Sequence, residues 1–149
     1  MSLPEKIRQY FERYSDPFTK ACREIISIDI PPMATYACFW IQPVDFFDEF
    51  LPIGLGWWNA EGLIENFYPS PIGAIRTEKW FWGDESTSDE PDPQLFKIIC
   101  DWISICWDNA GGDHPNIPFY CYDFYSMDTY CLRKKRIVAY SELQADTHT

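Results

Sequence analysis

Histidine occurs only twice in the 149 residues, at His114 and His148. That scarcity removes most of the supply of the side chain that titrates nearest neutrality and serves most often as a general base. His148 falls in the polar stretch 144–149, which is expected to fray. His114 lies in Gly111-Gly112-Asp113-His114-Pro115-Asn116, where a satisfied or exposed loop histidine is the default reading. No family signature of a cysteine nucleophile surrounds any of the six thiols.

Metal spacings are missing too. There is no C-x-x-C pair, no H-E-x-x-H and no EF-hand loop, so structural zinc has no ligand set. The carboxylates Asp84, Glu85, Asp89, Glu90 and Asp92 follow Gly83 and enclose no turn glycine, which a tight calcium loop requires among its ligands. No metal and no cofactor is expected. The segment Gly54-Leu55-Gly56-Trp57-Trp58 lacks the third glycine and the Lys-Ser/Thr ending of a phosphate cradle, and its indoles would obstruct a pyrophosphate.

Positive charge is in short supply: 12 Lys and Arg stand against 23 Asp and Glu, a net charge of −11. Such a surface repels nucleic-acid phosphates and anionic lipid headgroups. The basic run Arg133-Lys134-Lys135-Arg136 is too small for a nucleic-acid footprint without an accompanying basic face. No apolar run approaches the ~18 residues that span a bilayer. No cationic leader with an apolar core and no Asn-x-Ser/Thr sequon appears, and the cysteines sit inside apolar helical or strand-like patterns. Free thiols in a reducing cytoplasm are therefore expected.

What is abundant is core-forming material: 46% apolar residues, 18% aromatic, seven tryptophans. A chain of this length buries enough surface for one core without a staple, and a single α+β domain spanning 1–149 is expected. Ile7, Tyr10, Phe11 and Tyr14 share a helical face. Asp16-Pro17 reads as an N-cap and first-turn proline, restarting a helix through Phe18, Ala21, Cys22 and Ile25 until Pro31-Pro32 stops it. Met33 to Gln42 is apolar on both alternating faces, the pattern of a central strand covered on both sides. Shorter strands are expected at Leu55–Trp58 and Ile72–Arg76, with a helical turn near Leu63.

Residues 83–93 (GDESTSDEPDP) contain five carboxylates and no apolar side chain, the composition of an exposed, mobile acidic loop. Asp92-Pro93 then opens a helix whose polar residues Gln94, Lys97, Asp101, Ser104 and Asp108 form one narrow stripe, and Gly111-Gly112 ends it. Strands are expected over Ile117–Met127, Thr129–Leu132 and Ile137–Tyr140, with a last helical turn at Ser141-Glu142-Leu143. The order predicts a mostly antiparallel sheet with helices packed on one face.

Several stretches, Lys20-Ala21-Cys22-Arg23-Glu24 leading into Tyr36-Ala37-Cys38-Phe39, Glu78-Lys79-Trp80 before the helix at 93–108, and Ser141-Glu142-Leu143, resemble a bacterial family, number 4303 among the domains of unknown function. They are also broadly similar to small immunity proteins of bacterial toxin systems. The resemblance implies an α+β domain without known catalytic residues.

The function these features favour is non-enzymatic: an acidic binding protein, as an immunity protein is, for a basic protein partner such as a toxin or nuclease. Its expected contact residues are Asp84, Glu85, Asp89 and Glu90, with Trp80 and Trp82 as adjacent aromatic anchors. The rival is an enzyme or small-ligand binder with an aromatic-lined pocket and Cys121, Asp123 or His114 at its rim. A third option, glycoside chemistry by Asp45, Asp48 and Glu49 beside Trp57, Trp58, Trp80 and Trp82, competes with the commoner role of strand aromatics as core.

Overall fold

The computed structural model describes residues 3–41, 50–66, 73–76, 93–112, 117–123 and 128–139. Helix α1 (Leu3–Phe11) buries Ile7 and Phe11, and passes through a 3-10 turn at Glu12–Tyr14 into α2 (Ser15–Ser27), which buries Phe18, Cys22 and Ile25. The restart therefore comes earlier than Asp16-Pro17 suggests. Tyr14 is the N-cap residue and makes no side-chain cap bond, while Asp16 lies in the first turn. Helical backbone runs on through the 3-10 turn, so no extended residue is left for Asp16 to cap.

Among the described residues, strand β1 (Tyr36–Ile41) is the centre of a seven-stranded sheet. On one side it pairs antiparallel with β2 (Phe50–Asn59); on the other it pairs parallel with β5 (Phe119–Asp123). The outer edge of β2 is shared by β3 (Gly62–Asn66) and β4 (Gly73–Arg76), both antiparallel to it. Beyond β5 the sheet continues through the antiparallel strands β6 (Thr129–Cys131) and β7 (Arg136–Val138). The fold is α+β with a mixed, mostly antiparallel sheet.

The expected helical turn near Leu63 is a strand. Asn59 Oδ1 accepts the Glu61 amide at 2.8 Å, reversing the chain in a tight Asx-type turn, and Leu63 then pairs with Trp58. Strand pairing satisfies backbone groups that an isolated helical turn would leave open. The shorter strands expected at Leu55–Trp58 and Ile72–Arg76 lie within β2 and overlap β4. The expectations for residues 83–92, 124–127 and 140–149 fall outside the described residues.

One sheet face carries Ala37, Phe39, Ile41, Ile53, Leu55, Trp57, Phe119, Cys121 and Tyr130, all in one core with the three helices. Helix α3 (Pro93–Asn109) supplies Phe96, Ile99, Ile103 and Trp107 to it. Trp102 joins the helices: its ring lies 4.9 Å from Phe18 and 5.4 Å from Phe11, and its indole N–H donates to Ser15 Oγ at 2.9 Å. The opposite face holds a second buried cluster of Tyr36, Cys38, Tyr120, Cys131 and Val138, with Trp58 and Tyr122 packed on it. Gly54 belongs to that face, where the Trp40 indole lies across its Cα in the space a Cβ would need.

Candidate functional site

The acidic residues Asp84, Glu85, Asp89 and Glu90 and the anchors Trp80 and Trp82 lie outside the described residues. They belong to the connection from β4 to α3. His114 and Asp113 also fall outside them, between Gly112 and Ile117. Of the rival site, Cys121 and Asp123 are described, and both are buried. Cys121 is wholly enclosed on the helix face of β5, and Asp123 is buried at the end of that strand, its amide donating to the Asp128 carbonyl at 3.0 Å. Strand alternation decides this: Cys121 follows Phe119 toward the helices, which cover that face.

All six cysteines are free and buried. Burial pushes the Cys22, Cys38, Cys100 and Cys106 thiols up, away from the thiolate that nucleophilic or metal chemistry needs. The Cys100 thiol is raised further by its hydrogen bond to Cys121 and by the charge of nearby Asp101. Among the described residues no group of three or more His, Cys, Asp or Glu side chains could hold a metal ion. No helix among them is long and apolar enough to cross a membrane.

A concave feature of the described residues lies where the end of α3 meets the β6–β7 turn. It is a cavity of 180 Å³. Trp107, Ile117, Phe119 and Leu132 make its apolar walls, and Asp108, Arg133 and Lys135 its charged ones. The Trp107 and Phe119 rings sit 4.5 Å apart at a tilt of 32°. Gly112 completes the lining, and its amide donates to the Trp107 carbonyl at 2.9 Å. Together with the Gly111 amide on the Asp108 carbonyl at 3.0 Å, and Gly111 at φ +88°, that bond closes α3 in a Schellman motif.

Lys135 is held firmly. It occupies the left-handed region at φ 56°, its amide donates to the Cys131 carbonyl at 2.7 Å, and its ammonium reaches Ser104 Oγ at 2.7 Å and Asp108 Oδ2 at 2.5 Å. This contact explains a departure from the expected polar stripe on α3. Ser104 is buried beneath Lys135, and Ile105 stands in its place on the surface at 59% exposure. One turn earlier, Asp101 accepts from the Tyr130 hydroxyl at 2.8 Å and pairs with Lys97 at 3.0 Å. Burial, and then that carboxylate, raise the Tyr130 hydroxyl above its usual range.

No family model, curated protein or solved structure matches this chain. The cavity escaped the sequence reading because its walls come from α3, β5 and the β6–β7 turn. Only the basic run and the glycine pair mark it locally, and neither says that the two face each other.

Proposed function

We propose that this chain is a non-enzymatic binding protein whose acidic middle segment engages a basic protein partner. The observation that carries the reading is where the charge resides. Residues 42–92 hold eleven carboxylates against Arg76 and Lys79, a net −9 of the chain's −11. Residues 1–41, which include α1 and α2, balance five carboxylates with five cations. The acidic segment contains β2, β3 and β4 at one end of the sheet, whereas the basic run Arg133–Arg136 adjoins β7 at the other. In this reading the segment's charge steers a cationic partner toward it and discriminates against acidic ones.

Two further observations support a binding role. The thiols are buried, so none is a ready nucleophile. The helix layer carries no net charge of its own, which leaves the β2–β4 end and its connections as the place for complementary contact. In this reading Asp84, Glu85, Asp89 and Glu90 face the partner's cations, and Trp80 and Trp82 fill pockets on it. A partner of this chemistry is a basic toxin or nuclease, neutralised in the cytoplasm of a bacterium by occlusion, as immunity proteins do.

The test is paired affinity capture from the cell of origin. The wild-type chain and the variant Asp84→Asn, Glu85→Gln, Asp89→Asn, Glu90→Gln are compared at about 150 mM salt, near the ~8 Å screening length. The reading expects a basic protein on the wild-type chain that the variant loses. Equal retention of that protein by both chains overturns it.

A further inference from the structure

We propose that the β6–β7 turn is a latched lid over the aromatic side chains at the end of α3, with the Lys135 side chain as its latch. The device is independent of the acidic segment and of what that segment binds. Its motivation begins at the backbone. Among the described residues Lys135 is the one non-glycine residue at positive φ, 56°. A Cβ in that region crowds the neighbouring carbonyl, which is why glycine normally takes such a turn position. A lysine there is held in a conformation that disfavours it, so contacts elsewhere must offset the strain.

Those contacts cross from the turn to α3. The Lys135 ammonium donates to Ser104 Oγ at 2.7 Å and to Asp108 Oδ2 at 2.5 Å. Ser104 and Asp108 are neighbours one turn apart on the helix, so a single ammonium clamps the turn along it. The two contacts differ in kind. The ion pair with Asp108 is half exposed on both sides and is screened by salt. Ser104 is buried beneath the lysine, and without the ammonium its oxygen loses a charged donor. Under the turn lies the 180 Å³ cavity, with Arg133 and Lys135 as its wall on that side. Its aromatic walls are nearly closed off, Trp107 at 3% and Phe119 at 4% exposure. The root of the turn is fixed: the Leu132 amide donates to the Phe119 carbonyl at 3.2 Å, and Leu132 belongs to the main core. The hinge therefore lies between Leu132 and Lys135. Freed of the ammonium bridge, the strained residue relaxes, and the tip of the turn swings off α3 to uncover Trp107.

Amide exchange and paramagnetic broadening, read by NMR on the full chain, test the lid. Lys135→Met keeps the stem and the backbone strain but removes the charge. In that variant the residue 135 amide, which donates to the Cys131 carbonyl at 2.7 Å, should exchange about fivefold or more faster, with the Leu132 amide unchanged. A neutral nitroxide in solution should broaden the Trp107 indole resonance more in the variant than in the wild type. Raising salt to about 500 mM should speed the residue 135 amide in the wild type and leave the variant as it was. Lys97→Met, which breaks the 3.0 Å pair with Asp101 elsewhere on α3, should change none of these. Wild-type exchange in Lys135→Met overturns the proposal, because the strand pairing alone would then hold the turn. Equal acceleration at Leu132 and residue 135 overturns it too, since that is general loosening and not a hinge. So does faster exchange at residue 135 with no added broadening of Trp107, which would mean that the turn covers nothing.

Discussion

At the residue scale, buried ionisable groups control how the molecule responds to pH. The Cys22, Cys38, Cys100 and Cys106 thiols and the Tyr130 hydroxyl all have folded values raised by burial. A raised value means that the fold holds the proton more tightly than the unfolded chain does. Their stabilisation is thus complete below an ordinary thiol value of about 8.5 and is lost as the pH climbs beyond it. Each thiol adds up to ~1.4 kcal/mol of destabilisation per pH unit there. Thermal midpoints should hold steady from about pH 6 to 8 and fall steeply above about pH 9; a flat midpoint to pH 10.5 would show the thiols to be solvent-reachable. For the same reason, a disulfide-exchange reagent at neutral pH should label none of the six cysteines rapidly in the native protein and all six in denaturant.

Two single substitutions examine local packing. Tyr130→Phe removes the hydroxyl that donates to Asp101 at 2.8 Å, and should cost about 1.5–3 kcal/mol in urea unfolding because the acceptor is charged. Gly54→Ala places a methyl where the Trp40 indole lies, and should cost about 1–3 kcal/mol through displacement of that ring. Trp40→Leu in the Gly54→Ala background should recover part of the loss, a coupling that a double-mutant cycle reads directly.

At the element scale, α3 shows what the linear pattern could and could not disclose. Its bounds were legible: Pro93 opens it and Gly111 closes it, each by a local backbone mechanism. Its face was legible only in part, because Ser104 and Ile105 exchange roles once Lys135 folds back over the helix. Ile103→Ala, in the shared core, should cost about 2–5 kcal/mol, whereas Ile105→Ser on the surface should stay within about 0.5 kcal/mol. Reversed values would mean that the exposed side of α3 had been misplaced.

Strands divide the same way. The double-sided apolar run at Tyr36–Ile41 gave away the central strand, since neither face could be left wet. The strand at Gly62–Asn66 was hidden because its stability comes from pairing with β2, and five residues carry too little alternation to declare it. The parallel pairing of β1 with β5 joins segments some eighty residues apart in the chain, a relation that no local spacing encodes.

At the scale of the whole molecule, charge is sorted along the chain. The neutral helix layer covers one face, the acidic stretch 42–92 contributes the β2–β4 end, and the basic turn with its cavity adjoins the β7 end. A net charge of −11 was plain from composition; that the basic turn and β3 stand toward opposite edges needed the strand order, because β7 and β3 become opposite edges only after β1 pairs with β5.

The most direct test is the salt dependence of affinity for the basic protein that the wild-type chain captures, measured by calorimetry at about 50 and 300 mM salt. Acidic-segment binding predicts affinity that falls steeply with salt, and a shallower fall for the variant neutralised at Asp84, Glu85, Asp89 and Glu90. An affinity that is independent of salt, or a slope that the four neutralisations leave untouched, would contradict it.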